Sequence, residues 1–461
     1  MRKKVKDSAG ARVDRTPEPQ GDVGRREFVK VAAVGAGAVL AGAPPLGGRE
    51  GDGGRAPAIA TREAPAIHTR QTPDIAVVGA GAFGAWTALH LQQSGAQVTL
   101  IDQYGPANSR ATSGGETRGV RTGYGGRGHG LLWTRWAQRA IEKWNQWDEQ
   151  WQDMLLPRVF FNTSDLIMRD EWTDFMEDTR KNWDEVGVRY EVLDADEVKR
   201  RWPVIDLTDI TIALWEQDAG VVRARRAIES VARVFQHAGG AVETARAAMG
   251  PATGRQLDAL SLQPGDNFPA GTYVFALGPW YPKAFPELMG NRLRIPMGHV
   301  VYLRTPPGDN SYSYPNLPSY NFPGVTGWPA LAPDNRGFRV RTGGRPPGDP
   351  DTSRRWLEPE ELERPRAFVR ERFPGLADAP VSETRACHYE SSVTRNFFLD
   401  RHPDFDNVWL AGGGSAEGFK FGPVIGEYLA GRILGTEDDP RLIEAFRLSE
   451  EEFEPRDDGA P

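Results

Sequence analysis

Cysteine is almost absent from this chain: Cys387 is the single one in 461 residues. An intrachain disulfide is therefore excluded. Lysine is nearly as scarce, with nine in all and none from Ala284 through Phe419. The formal net charge is −7 and no basic block interrupts the region expected to fold, so the chain lacks the electrostatic footprint of a nucleic-acid binder. The apolar run at 31–43 spans about thirteen residues, against the ~20 that a membrane-crossing helix needs. Internal repeats are absent too. What remains is an ordinary globular composition, 39% hydrophobic, long enough to bury a large core divided between two domains and suited to small-molecule chemistry.

The N-terminus differs from the rest. Arg25 and Arg26, followed by Glu27, Phe28, Val29 and Lys30, precede the Gly/Ala-rich run that ends at Pro44 and Pro45. This pattern looks like a twin-arginine export signal, which carries folded, cofactor-loaded proteins and implies a periplasmic or extracellular destination. A Gly/Pro/Ala-rich linker follows.

Between Asp74 and Asp102 the sequence reads DIAVVGAGAFGAWTALHLQQSGAQVTLID: an apolar strand, a glycine turn, an amphipathic helix and a second strand ending in an acid. Gly79 permits the tight turn, Gly81 lets the backbone approach a pyrophosphate, and Gly84 lets the helix lie close to the sheet. The phosphates would rest on the helix N-terminus. Asp102, at the end of the second strand, can accept hydrogen bonds from both ribose hydroxyls and would repel a 2′-phosphate. The spacing predicts a dinucleotide-binding βαβ unit.

Further along, Trp133, Trp136, Ala140, Trp144, Trp147 and Trp151 recur at three- and four-residue steps, which reads as the buried face of a helix. Short apolar runs alternate with polar helices from 160 to about 215, and a helix is expected over 227–238. A strand over 272–276 runs into Gly278-Pro279-Trp280. Residues 294–304 alternate like a strand, and the Pro/Tyr/Gly-rich stretch up to 344 suits antiparallel strands with long loops; its segment 311–333 is expected to be a loop that shapes specificity. A charged helix with a solvated face is expected over 358–373. Near the C-terminus, a strand at 407–411 feeds Gly412, Gly413 and Gly414 into a helix from about 423, again placing backbone N–H groups near something anionic. The cofactor domain is thus assembled from both ends of the chain.

Taken in order, VVGAGAFG, GETRGVRTGYG (115–125), the strand ending at Trp280, CHY (387–389), FFLDRHP (397–403) and GGGSAEGFKFGP (412–423) make the chain resemble the sarcosine oxidase and N-methyl amino acid oxidase family of FAD enzymes, within the D-amino-acid oxidase superfamily. The resemblance implies an α/β fold: a Rossmann-like FAD-binding domain, glutathione-reductase-like, beside an α+β substrate domain on an antiparallel sheet. Together with the N-terminal pattern it gives the expected division: a signal at 1–46, a linker at 47–72, FAD-binding segments at 73–159, 217–285 and 381–450, substrate-domain segments at 160–216 and 286–380, and a disordered tail at 451–461. FAD would be held by Gly79, Gly81, Gly84, Asp102, Gly115, Thr117, Gly278, Gly412, Gly414, Gly418, Phe419 and Lys420, and tethered through a thioether to Cys387. Arg118 would sit beside the flavin, Arg121 and Lys420 would clamp a substrate carboxylate, and Tyr389 would line the substrate cavity. The implied reaction removes hydride equivalents from the carbon next to an amine nitrogen, after which water hydrolyses the imine. A monomer is expected, with an amine or amino acid substrate and no metal.

Two departures matter. Where the family usually carries histidine, this chain has Glu417, which either faces the substrate and favours a cationic amine or pairs with Lys420 or a nearby arginine. The family's oxygen-activating lysine is also missing. Arg292, Arg294, Arg304 or His299 are the candidates to replace it; otherwise a quinone or periplasmic carrier takes the electrons, making the protein a dehydrogenase. A noncatalytic flavin-binding protein is the remaining alternative.

Overall fold

The structure, a computed structural model, describes residues 74–332, 336–346 and 348–454. The expected export signal and linker lie outside the described residues, as do the last seven residues of the tail. Residues 451–454 are docked: the Phe453 N–H donates to the Asn291 carbonyl at 2.8 Å and the Arg294 guanidinium stacks on the Phe453 ring at 4.6 Å. A free tail from 451 onward is thus incorrect for these four.

The first sheet has the strand order Phe398–Arg401, Val408–Gly412, Thr272–Phe275, Ile75–Val78, Val98–Asp102, Ala241–Thr244. All neighbours pair in parallel except the Phe398–Arg401 edge strand, which is antiparallel. Strand Ile75–Val78 is buried along its whole length, as expected of a parallel sheet covered on both faces. Its central position beside Thr272–Phe275 and Val98–Asp102 brings strand ends from distant parts of the sequence to one edge.

Helix Ala82–Gln93 was expected to be amphipathic. It is instead buried on nearly every side, from Ala82 through Leu89 and again at Leu91. The reason is a second cover. The Trp86 ring packs against Trp144, Trp147 and Trp151 at centroid distances of 5.5, 5.3 and 5.9 Å, so the tryptophan stripe of helix Leu131–Asp153 closes over it. Full burial of a side chain this large contributes roughly 3 kcal/mol. Helix Gly422–Leu434 lies against the same residue: a Cβ on Gly426 would come within 2.6 Å of the Trp86 backbone.

The second sheet has eight strands in the order Val381–His388, Met297–Leu303, Phe338–Thr342, Val325–Trp328, Ser319–Phe322, Asp165–Arg169, Ile212–Glu216, Tyr190–Asp194. Only the Ser319–Phe322/Asp165–Arg169 pair is parallel. The stretch 311–333 is therefore not simply a loop, since it contains a β-hairpin. Strand Met297–Leu303 does not alternate between core and solvent. It is buried at every position, because Met297, Val301 and Leu303 pack with Phe368, Val369 and Phe373 while Gly298 and Val300 border a cleft on the opposite face. The charged segment 358–373 folds as the short turn Pro359–Leu362 and helix Glu363–Arg372. Its face is not wholly solvated, for Pro365, Phe368 and Val369 are buried beneath the sheet. No helix among the described residues is long and apolar enough to cross a membrane.

Candidate active site

A single cleft runs from the C-terminal edge of the parallel sheet to the inner face of the eight-stranded sheet, bordered at one end by Asp102 and Tyr104 and at the other by Tyr389, Glu417 and Lys420. At the first end Gly79 has φ +101°, and a side chain there would meet the Ala276 carbonyl oxygen at 2.3 Å. Gly84 would drive a Cβ to 1.9 Å from the Gly79 oxygen, so helix and turn meet backbone to backbone. Gly81 is different: a Cβ there would meet only Ser113 Oγ at 3.4 Å, leaving the helix N-terminus open to a phosphate. Asp102 borders the cleft with Oδ2 accepting the Ala80 N–H and Oδ1 the Tyr104 N–H, both at 2.8 Å. Burial nonetheless pushes its carboxyl up. Gly278, at φ +52°, and Gly414, Gly418 and Phe419 also border the cleft. These features fit a dinucleotide with its pyrophosphate at the helix N-terminus and a ribose at Asp102.

Gly115, Thr117 and Gly412 do not border the cleft, although they were expected to touch the cofactor. They support its wall instead. A Cβ on Gly115 would come within 2.4 Å of Arg118 Nη1, and one on Gly412 within 2.4 Å of the Phe398 ring. Thr117 Oγ1 accepts the Trp328 indole N–H at 2.9 Å and pairs with the Tyr302 hydroxyl at 2.7 Å.

Arg118 reaches the cleft next to Cys387. Its Nη2 lies 3.4 Å from Sγ. Burial alone would raise the thiol, but the guanidinium groups of Arg118, Arg385 and Arg355 outweigh it and hold Cys387 below its ordinary value, favouring the thiolate.

Beyond the thiol lies a charged cluster. The Lys420 ammonium is contacted by the Glu417 carboxylate and donates to the Glu417 carbonyl at 3.2 Å. Glu417 therefore pairs with Lys420 and also faces the cleft, its side chain 24% exposed. Burial would raise its carboxyl, yet Lys420 and Arg121 hold it down at about 2. Burial pulls Lys420 down, with Glu417 opposing. Arg121, 4.0 Å from Asp165, is also pulled down by burial, but Asp165 and Glu417 together hold it above its usual value.

Sequence reasoning missed four members of this site. Asp165 and Glu216 lie behind Arg121; nothing in the sequence marks them, since each sits on a strand that only tertiary pairing brings there. Arg339 and Arg341 border the cleft from strand Phe338–Thr342. Their signal was legible, because in FRVRT the two arginines alternate with Phe338 and Val340 and must share one face. They are also the cations that this stretch of sequence brings to the cleft. The four candidates named for that role lie elsewhere: Arg292 pairs with Glu452 and Arg294 with the Glu454 carbonyl, Arg304 is exposed, and His299 faces Glu361 at 3.5 Å on the far side of the sheet. No cluster able to hold a metal occurs among the described residues.

Glu216 is fully buried and accepts the Thr122 backbone N–H and hydroxyl. Burial and the neighbouring Asp165 push it up to about 8 from an ordinary 4.5, so the folded protein keeps it protonated near neutrality. Its contribution to stability is complete below the unfolded value and is lost as pH rises toward 8. Glu216→Gln, which fixes the neutral form, should gain on the parent by on the order of 2–4 kcal/mol between about pH 5 and pH 8. Urea unfolding at both pH values checks this, and a constant difference would contradict it.

Comparison with known proteins agrees with this geometry. Monomeric sarcosine oxidase of Bacillus sp. (strain B-0618) is 25% identical over 393 residues, covering 81% of this chain and 96% of the relative. Among solved structures, L-proline dehydrogenase from P. horikoshii superposes with a TM-score of 0.70 at 18% identity, covering 82% of this chain and 96% of its own. Fructosyl amine: oxygen oxidoreductase (Amadoriase I) from Aspergillus fumigatus gives 0.69 at 20%, covering 83% and 93%. These two show the shared fold. The model of the DAO family of FAD dependent oxidoreductases matches residues 74–432, and the chain belongs to that family.

Proposed function

We propose that the protein oxidises a secondary or N-methylated amine that carries a carboxylate, with FAD as cofactor and oxygen as acceptor, releasing hydrogen peroxide and an imine that hydrolyses. The observation that carries this reading is the continuity of one cleft from the dinucleotide cradle at Gly79–Gly81 to the charged cluster at Arg121, Glu417 and Lys420. FAD, when bound, supplies the acceptor for hydride from the carbon beside the amine nitrogen.

The chain's own residues would prepare that transfer. Arg121 and Lys420 present cations to the substrate carboxylate and fix its orientation. Glu417, held ionised at about 2, is too weak a base to take the ammonium proton near neutral pH. It positions the amine N–H by accepting a hydrogen bond, while the proton leaves to solvent. Tyr389 borders the same end of the cleft, its ring facing the Arg341 guanidinium at 5.9 Å. Cys387, with its lowered thiol, is the proposed tether for the flavin. Export by the twin-arginine pathway belongs to the same reading.

Anaerobic titration of the purified flavoprotein with sarcosine, N-methyl amino acids and proline should bleach the flavin. Admitting air should restore it with stoichiometric peroxide. Bleaching without recovery would assign the electrons to a quinone or carrier, and no bleaching by any amine would remove the amine reading. Acid denaturation should release yellow flavin from Cys387→Ser and retain it on the parent; release from both would disprove the tether. Replacing Arg25 and Arg26 together by lysine should leave flavin content intact and strand the protein in the cytoplasm, and unchanged fractionation would disprove export by this route.

A further inference from the structure

The inner face of the eight-stranded sheet presents to the cleft two guanidinium groups that no carboxylate pairs with directly among the described residues. Arg339 and Arg341 occupy alternate positions of strand Phe338–Thr342 and project from one face. Arg339 is 2% exposed. Its Nε and Nη1 are buried without a hydrogen-bond partner among the described residues, and its guanidinium stacks 3.7 Å above the Trp328 ring. Among the described residues no carboxylate opposes it: the groups that act on it are Tyr302, Arg118, Arg341 and Tyr320, and burial with the two arginines brings it down to about 9. Arg341 lies over Gly298, where a Cβ would sit 3.5 Å from its Nε. Among the described residues its side chain makes no hydrogen bond or direct ion pair; it contacts the Tyr389 ring, and its charge helps to hold the Glu417 carboxyl down from a distance.

The rest of the cleft end cannot absorb this charge. Lys420 is already contacted by Glu417, and Arg121 faces Asp165. At this inner end Arg118, Arg121, Arg339, Arg341 and Lys420 border the cleft; Glu417 is the ionised carboxylate among them, Asp165 lies behind Arg121, and burial pushes the carboxyls of Glu216 and Glu390 up. Buried cations without counter-charges or hydrogen-bond partners are costly. A strand face that aims one such cation, Arg339, into a cleft with the half-buried Arg341 beside it is built for an anion that arrives with the ligand. Two guanidinium forks on one face also match the planar geometry of a carboxylate.

We propose that Arg339 and Arg341 form a second acid-binding subsite, so that the substrate is an amine bearing two acidic groups, an N-substituted amino dicarboxylate, with one carboxylate at Arg121 and Lys420 and the other on this strand. The inference rests on the amine-oxidising reading above and adds the class of substrate to it. Thiodiacetate and (methylthio)acetate separate the two, because both are thioether mimics that lack an oxidisable amine and differ by one carboxylate.

Isothermal titration of the flavin-loaded protein should show thiodiacetate binding at least about tenfold more tightly than (methylthio)acetate, the effect of one additional charge-assisted contact in a desolvated site. Arg341→Met should abolish that advantage and leave the affinity for (methylthio)acetate within about twofold, while Arg341→Lys should retain most of it, a contrast that a folding defect would not produce. Equal affinities for the two thioethers, no binding of thiodiacetate, or equal weakening of both by Arg341→Met would overturn the proposal. Failure of the amine reading looks different: no amine would bleach the flavin although thiodiacetate binds.

Discussion

The cofactor side of this molecule, and through it the position of the site, depends on the burial of one helix. Helix Ala82–Gln93 touches the Gly79 turn so closely that Gly84 cannot carry a side chain, and its other faces are covered in turn. The tryptophans of helix Leu131–Asp153 close over Trp86, and helix Gly422–Leu434 lies against that residue through Gly422 and Gly426. Close packing of this kind is intolerant of extra volume. Its consequence is positional. The turn Gly418–Phe421 immediately precedes helix Gly422–Leu434, so the contact that seals the dinucleotide cradle also places Glu417 and Lys420 in the cleft. The Trp144 indole donates to the Lys420 carbonyl at 2.8 Å and fixes that turn further.

A second constraint is electrostatic. Enclosing charges between two sheets is tolerable where they neutralise one another or stay protonated. The cleft uses both solutions: Lys420 with Glu417 and Arg121 with Asp165 are pairs, and Glu216 is held neutral. Among the described residues Arg339 follows neither rule and Arg341 meets Glu417 only at a distance, and the thiol of Cys387 gains acidity from Arg118, Arg385 and Arg355. The charge in the cleft is therefore uneven: Arg121 and Lys420 face carboxylates, whereas Arg339 has none beside it among the described residues.

Much of the frame was legible from local pattern. The glycines of the first βαβ unit, the acid at its end and the tryptophan stripe each carry a periodicity or spacing that only one local structure satisfies. Less legible were elements whose surroundings come from elsewhere in the chain. Helix Ala82–Gln93 and strand Met297–Leu303 are covered on faces that their own sequences do not announce, and the helix Glu363–Arg372 hides Phe368 and Val369 within a charged segment. Gly115, Thr117 and Gly412 illustrate a similar gap for the site. A motif records that a residue is required, whereas being required to touch a ligand and being required to support the wall that does are indistinguishable in one dimension.

By itself the sequence determined the dinucleotide cradle and the presence of Glu417 within one turn of Lys420, because these depend on residues within one or two turns of each other or on motifs that fold locally. Tertiary structure alone decided that Cys387 stands beside Arg118, that Asp165 and Glu216 stand behind Arg121, and that Arg339 and Arg341 face the same cleft. Those facts depend on which strands pair and at what register, and register is set by the packing of whole sheets.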